Sequence, residues 1–301
     1  MIAIKADNLT KSFKLNRVVN MISLEVESGE IYGFLGRNGA GKSTFINMLT
    51  GILIPSSGSF ELLESSPTKR IGVLPDYSTF YDHMSAYDHL KYFSGVSGYK
   101  VTKEAIIETL NMVGLESEIH KKVSKFSFGM KKKLGIAQAL VNDPDLIFLD
   151  EPTSGVDAES AIQIKKLIKN LNKQGKTIFM TSHNLNEVEE ICTRVAIMKN
   201  GNIHLEGTIS ELKSSFQNVV TAKIRIQDKV QDGARKDIVN FLKKNFPDFS
   251  WENNYLRVEL GHENNIPVIL RMLLQLHVNV FTVDIIEPSL EEIFLEQNQA
   301  I

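Results

Sequence analysis

The chain has 301 residues, a length that accommodates two domains with a core each. Its composition is that of an ordinary globular protein, with 43% hydrophobic residues, 23% charged residues and a formal net charge of −2 at pH 7, so a basic surface for DNA or RNA is not expected. The single cysteine, Cys192, excludes an internal disulfide framework, and no segment has the pattern of a signal peptide or of a membrane-spanning helix.

Short apolar runs near the N-terminus predict β-strands over residues 3–9, 24–26 and 31–35. The third strand leads directly into a glycine-rich segment, and residues 42–49 then continue as a helix that ends near Gly51. The glycine-rich segment consists of Gly36, Arg37, Asn38, Gly39, Ala40, Gly41, Lys42, Ser43 and Thr44.

This segment has the composition of a phosphate-binding loop. Its glycines remove side chains, so that successive backbone N–H groups can surround nucleotide phosphates. Lys42 adds a positive charge for the β and γ oxygens, and the Ser43 hydroxyl can ligate Mg²⁺. Because a helix starts within the loop, the N-terminus of that helix also points at the phosphates. The residues therefore predict a nucleotide-binding site.

The sequence becomes helical in character between residues 85 and 123. Ser85 and Asp88 have the spacing of a capping box, and residues 102–113 carry spaced apolar side chains and end at Gly114. This helical segment separates the glycine-rich loop from a second motif farther along the chain.

The second motif is Leu-Ile-Phe-Leu-Asp-Glu-Pro at residues 146–152. An apolar run that ends in two carboxylates is typical of a buried parallel strand whose C-terminal end faces a ligand. Asp150 is the expected Mg²⁺ ligand, and Glu151 is placed to take the proton of an attacking water. The two motifs in this order predict hydrolysis of a nucleoside triphosphate.

Further α/β units follow the second motif. A helix is predicted over residues 158–174 and a strand over residues 177–181, just before His183. Residues 195–199 and 203–206 flank the dipeptide Asn200-Gly201, a strong signal for a β-hairpin.

The α/β pattern stops near residues 214–218, where we expect a linker. The remaining residues predict the order β-α-β-β-α-β, which indicates a small α+β domain of ferredoxin-like type. Ser289 and Glu292 have the spacing of a cap for a final short helix.

Residues 1–215 resemble the nucleotide-binding subunit of an ABC transporter. The segment Phe126-Ser127-Phe128-Gly129-Met130 stands where that family carries its LSGGQ signature. The resemblance implies an α/β P-loop ATPase domain with a RecA-like core, an antiparallel β subdomain and a helical insert over residues 85–125. It also implies a head-to-tail dimer that holds two ATP molecules, in which Ser127 and Gly129 contact the γ-phosphate of the ATP bound to the opposite subunit.

Other positions take their expected roles from the same resemblance. Phe13 corresponds to the aromatic ring that stacks on adenine, although by itself it is equally consistent with a core residue. Asp157 corresponds to the loop that crosses the dimer interface, and as an isolated residue it is a helix cap. His183 corresponds to the histidine that senses the γ-phosphate. Asp76 stands where Gln or Glu is usual in the loop that joins Mg²⁺ to the helical insert, with a stem one methylene shorter.

Two further departures from the family pattern concern the motifs themselves. Arg37 replaces a common proline, and we expect little effect from it. Phe128 and Met130 replace the first signature glycine and the glutamine, whereas Gly129 is kept. The lysines at residues 131–133 are interpreted as a solvated helix face.

The ending of the chain, residues 287–295, resembles that of drug, antibiotic and bacteriocin exporter ATPases with separate membrane subunits. The resemblance implies ATP and Mg²⁺ as ligands, a separate transmembrane permease, and a second ATPase subunit that is either another copy or a related chain. It places the protein at the cytoplasmic side of the cell membrane. The alternatives are an importer ATPase, a soluble ATPase of the same family that acts on ribosomes or DNA, and a nucleotide-binding regulatory module without turnover.

Overall fold

A computed structural model describes residues 1–64, 70–216 and 220–286 together with residue 290. The chain divides into two compact units, Met1–Ile209 and Ser210–Ile301. The predicted cap at Ser289 and Glu292, and the ending at residues 287–295 apart from Leu290, lie outside the described residues. The domain division at residue 215 stays a prediction.

The first unit contains the elements β1 (Ile2–Phe13), β2 (Asn16–Glu27), β3 (Ile31–Leu35), α1 (Lys42–Leu49), β4 (Ser57–Leu62), β5 (Ile71–Leu74), α2 (Ala86–Val96), α3 (Lys103–Met112), α4 (Phe128–Leu140), β6 (Leu146–Asp150), α5 (Ala158–Lys173), β7 (Thr177–Ser182), α6 (Leu185–Ile191), β8 (Arg194–Lys199) and β9 (Asn202–Thr208). Helix α7 (Ile209–Phe216) follows at the division between the units. The second unit contains β10 (Val220–Ile226), α8 (Asp232–Asn245), β11 (Phe249–Glu252), β12 (Tyr255–Leu260), α9 (Ile266–Gln275) and β13 (Val280–Ile286).

A six-stranded sheet with the order β5-β6-β7-β3-β8-β9 forms the centre of the first unit. All its pairs are parallel except the β8-β9 hairpin. Strands β3, β6 and β7 are buried at every residue, which explains their continuous apolar sequences. Since the C-terminal ends of parallel strands meet at one edge, the residues that follow these three strands come together there.

A second sheet of the first unit is antiparallel, with the order β2-β1-β4. Strands β1 and β2 are longer than the sequence predicts because their pairing continues to the turn, where Phe13 is opposite Asn16. Strands β4 and β5 and helix α6 were not predicted, since each is too short to show a clear periodicity.

Five helices of the first unit begin at side-chain caps, three of them at a serine or a threonine. Ser85, Thr102 and Ser127 each accept a hydrogen bond from the backbone N–H three residues later, at the starts of α2, α3 and α4. The β8-β9 hairpin turns at Asn200 and Gly201, with φ angles of 49° and 80°, as expected for the predicted two-residue turn.

The second unit has the predicted order β-α-β-β-α-β, and its antiparallel sheet has the strand order β11-β12-β10-β13. This is the ferredoxin-like arrangement. Buried side chains of α8 and α9, including Ile238 and Leu273, pack with Ile224 and Val258 of the sheet in one core cluster. Neither unit has, within its described residues, a helix that combines the length and the apolar character needed to cross a membrane.

Candidate active site

A cavity of about 460 Å³ lies in the first unit. It brings together groups that are far apart in the sequence: the loop residues 38–44, the segment Asp76-Tyr77, Glu151, Ser154 and His183. The loop follows β3, Glu151 follows β6 and His183 follows β7, so the parallel order of these strands puts the predicted residues at one edge.

The glycines of the loop are required by close contacts of its backbone. A Cβ at Gly36 would lie 2.5 Å from the Met198 carbonyl oxygen, and a Cβ at Gly41 would lie 2.6 Å from the Val18 carbonyl oxygen. Gly41 also has a φ of 110° and occupies the N-cap of α1, where it has no side chain to cap the helix. The first N–H groups of α1 therefore belong to an anion-binding loop.

Lys42 is nearly buried and its ammonium group is held by the protein itself. The Nζ atom donates to the Gly36 carbonyl oxygen at 2.7 Å and lies 3.4 Å from the Glu151 Oε1 atom. This contact orients the cation within the same cavity as the loop amides.

Asp150 and Glu151 are positioned by one hydroxyl group, that of Thr181 on the neighbouring strand β7. The Thr181 hydroxyl donates to the Asp150 carboxylate and accepts a 3.0 Å hydrogen bond from the Glu151 backbone N–H. Glu151 has a φ of 49°, which is uncommon outside glycine and is found where surrounding contacts hold the backbone.

Glu151 and His183 form a direct pair. The Nδ1 atom of His183 lies 2.8 Å from Oε2 of Glu151, and the His183 side chain is about half exposed. The Oε1 atom of Glu151 is buried and makes no hydrogen bond to a described residue, its nearest cation being Lys42. A buried carboxylate with one oxygen hydrogen-bonded and the other contacted only by a cation is suited to accept a proton once that cation has another partner.

Of the three predicted metal ligands, Ser43 and Asp76 line the cavity. Asp150 is almost completely buried and does not line it, although its negative charge acts on Asp76. Burial raises the pKa of Asp76, and the charge of Asp150 raises it further. A hydroxyl and carboxylates are the oxygen donors that Mg²⁺ prefers, so the residues fit a magnesium site.

Besides Gly36 and Arg37 at the start of the loop, four other predicted residues do not line the cavity. Phe13 is half exposed at the end of β1, with the Lys11 ammonium 5.3 Å from its ring centroid. Ser127 caps α4, and a Cβ at Gly129 would lie 2.8 Å from the Ser160 hydroxyl oxygen. Asp157 caps α5, and its hydrogen bonds to Ser160 lower its pKa. The roles of all four residues stay predictions.

The interpretation of residues 131–133 as a solvated helix face is wrong for one of them. Lys132 is only 7% exposed, while Lys131 and Lys133 are partly exposed. The reason is that α4 packs against β5 on one side and against α2 and α3 on another, so it has little solvated surface.

Besides Val18 and Ser154 of the cavity wall, three residues that support the site were not predicted from the sequence. These are Thr181, Tyr77 of the cavity wall, and Glu187, which accepts hydrogen bonds from Thr153 and from the Ser182 hydroxyl, the latter at 3.0 Å. The signal available for Thr181 was its place two residues before His183, at the end of a buried strand. Glu187 had no local signal, since its partners belong to other segments.

Both parts of the chain match known protein families. Residues 19–154 match the family described as ABC transporter, and residues 207–297 match the family described as ATP-binding protein DrrA1-3-like, C-terminal domain. The chain is 33% identical to the bacitracin transport ATP-binding protein BcrA of Bacillus licheniformis, over 97% of this chain and 96% of the relative. It is 30% identical to the linearmycin resistance ATP-binding protein LnrL of Bacillus subtilis (strain 168), over 97% of each.

Among solved structures, the dimeric structure of MJ0796, a bacterial ABC transporter cassette, superposes with a TM-score of 0.62 at 25% identity. The alignment covers 68% of this chain and 98% of the cassette. These two relatives align over nearly the full length of both chains. The chain therefore belongs to the ABC transporter ATP-binding proteins, a family of nucleotide-binding ATPases that power transport.

Proposed function

We propose that this chain is the ATP-hydrolysing subunit of an exporter that moves a drug, an antibiotic or a peptide through a separate transmembrane permease. Two of its relatives are named for bacitracin transport and linearmycin resistance, which supports an export role in this branch. The observation that carries the catalytic part is the Glu151–His183 pair beside Lys42 in one cavity with the phosphate-binding loop.

Nucleotide binding changes the partners of Lys42. The loop residues 36–44 offer backbone N–H groups to the phosphates, and Lys42 exchanges its contact with Glu151 for the β and γ oxygens. Ser43, Asp76 and Asp150 would hold a bound Mg²⁺, which would supply positive charge against the phosphate oxygens.

Glu151 then acts on water. With Lys42 engaged by phosphate, the Oε1 oxygen of Glu151 accepts a proton from the attacking water, while His183 holds Oε2. The loop amides and Lys42 stabilise the charge that develops on the phosphate oxygens, which we expect to be the larger contribution to the rate.

The active form we propose is a dimer, of two copies or of this chain with a related ATPase. In it Ser127 and Gly129 at the start of α4 complete the site of the partner subunit, and Asp157 lies at the interface. Phe13 stacks on adenine. The permease holds the dimer at the cytoplasmic side of the cell membrane.

Glu151→Gln tests the catalytic assignment. We expect phosphate release to fall by about 10²–10⁴-fold, because the amide cannot accept the proton, while ATP binding is retained. The measurements are phosphate release and equilibrium binding of ATP. Glu104→Gln, an exposed carboxylate in the first turn of α3, is the control and should behave as the unaltered protein.

Near-normal turnover in Glu151→Gln would show that another group is the base. Absence of phosphate release from the unaltered protein would instead indicate a nucleotide-binding module without turnover. Stimulation of the ATPase by RNA would favour a soluble partner over a permease. Identification of the membrane protein that co-purifies with the chain tests the transport assignment.

A further inference from the structure

Lys132 is a buried cation close to the acidic groups of the cavity. Its ammonium group donates to the Asp76 backbone carbonyl oxygen at 3.3 Å. Burial lowers the pKa of Lys132, and the negative charges of Asp76, Asp150 and Glu151 oppose that shift. Because removing an ammonium group from water costs several kcal/mol, a buried lysine is stable only where neighbouring negative charge compensates. The acidic edge of the sheet provides this compensation.

The face of α4 that carries Lys132 packs against strand β5 and the segment after it. A Cβ at Gly135 would lie 2.7 Å from the Leu74 side chain and 3.4 Å from the Ser78 hydroxyl oxygen. One turn later, the Ala139 carbonyl oxygen lies 2.1 Å from where a Cβ at Gly72 would be. Residues 132, 135 and 139 are spaced by three and four positions, so they form one stripe of the helix. This stripe packs α4 directly along β5 and the Asp76 segment.

The start of the same helix carries the residues proposed to act on the partner subunit. Ser127 caps α4, and Gly129 packs against Ser160 and Asp157 at the start of α5. Ser127 and Lys132 are only five positions apart, about 7.5 Å along a helix. Lys132 therefore contacts the Asp76 segment from the second turn of α4.

We propose that Lys132 is a positioning residue that ties the start of α4 to the Asp76 segment, so that a nucleotide bound in one subunit sets the position of Ser127 and Gly129 for the partner subunit. The inference rests on the proposed function, because it requires the dimer. Lys131 and Lys133 take no part in it: the former faces Asp82 at 3.9 Å and the latter contacts Gln163.

The first test uses the nucleotide-free chain and does not depend on activity. Lys132→Met keeps an unbranched apolar stem and removes the charge and the hydrogen bond. We expect hydrogen exchange of the backbone amides in residues 74–78 to accelerate by about tenfold, in the range typical of coupling between sites. Lys133→Met is the matched control from the same lysine run and should leave exchange at residues 74–78 unchanged. Lys132→Arg should restore it.

The second test measures dimer formation with ATP in the Glu151→Gln background. We expect Lys132→Met to need at least about fivefold more ATP for half-maximal dimerisation, while Lys133→Met needs the same concentration as the parent. Light scattering gives the dimer fraction. Should Lys132→Met fail to fold, Lys132→Gln replaces it in both tests.

Equal exchange and equal dimerisation for the Lys132 and Lys133 variants would overturn the role of Lys132 and leave the proposed function intact. Absence of an ATP-dependent dimer in the Glu151→Gln parent would overturn the dimeric mechanism itself, and the link between two subunits with it. The two failures are therefore distinguishable.

Discussion

At the scale of single residues, the hydroxyl of Thr181 organises the chemistry of the site. Thr181 is completely buried, donates to Asp150 and accepts from the Glu151 backbone N–H. One side chain on β7 thereby orients two consecutive carboxylates at the end of β6. The positive φ of Glu151 depends on such a contact, because it is unfavourable for a residue with a Cβ.

Thr181→Val removes the hydroxyl group and keeps the shape of the side chain. We expect the ATPase rate to fall by about 10–100-fold, as is typical when a group that orients the reacting residues is lost. Stability should fall by about 1–3 kcal/mol, because buried polar atoms of Asp150 and Glu151 lose their partner. Steady-state kinetics and thermal unfolding measure the two effects.

Thr181→Ser keeps the hydroxyl and is the control for Thr181→Val. It should retain most of the activity. Equal rates for the valine and serine variants would contradict the positioning role.

At the scale of elements, a buried histidine joins α2, α4 and the segment that follows Asp76. His89 of α2 is fully buried, and its Nε2 atom lies 2.9 Å from the Gln138 side-chain oxygen on α4. Its ring packs on Phe80 and Phe93, with centroids 5.2 Å and 4.5 Å away. The Nδ1 atom has no hydrogen-bond partner among the described residues. If His89 were protonated on both ring nitrogens, the N–H at Nδ1 would have no acceptor among the described residues.

The stability of the chain should consequently fall in mild acid. Burial lowers the pKa of His89 in the folded state, so below about pH 6.5, the ordinary value, the unfolded chain binds a proton that the folded chain does not. The stability that neutral, buried His89 contributes is therefore fully present above that pH and is lost as the pH falls below it. We expect the free energy of unfolding to decrease more between pH 7 and pH 5 in the unaltered protein than in His89→Gln.

Denaturant unfolding at several pH values measures this difference. His204→Gln, an exposed histidine on β9, is the control and should keep the pH dependence of the unaltered protein. A His89→Gln variant with an unchanged pH slope would mean that other groups account for the acid sensitivity.

At the scale of the whole molecule, the cavity is built by the first unit alone, and the second unit folds around a core of its own. Every residue that lines the cavity belongs to the first unit. The second unit has its own core, formed by both of its helices and its four-stranded sheet. Nucleotide binding and the folding of the ferredoxin-like unit should therefore be separable.

We expect residues 210–301 expressed alone to unfold cooperatively, and residues 1–209 alone to keep the ATP affinity of the full chain. Ile224→Ala should destabilise the isolated second unit by about 2–5 kcal/mol, because it removes a completely buried side chain from that core. Calorimetry of the isolated unit and ATP titration of the first unit are the measurements. The exposed Glu259→Ala on β12 is the control, with an expected change within about 0.5 kcal/mol. An unfolded isolated unit would contradict the independent core.

The sequence by itself determined the nucleotide motifs, the order β-α-β-β-α-β of the second unit and the caps at Ser85 and Asp157. These features depend on residues close together in the chain, where spacing and backbone conformation are local properties. Only the tertiary structure decided that Lys132 is buried while its two neighbours are partly exposed, and that Thr181 bridges Asp150 and Glu151. The side chains involved come from different strands and helices, so their burial and partners depend on strand order and packing that no local pattern specifies.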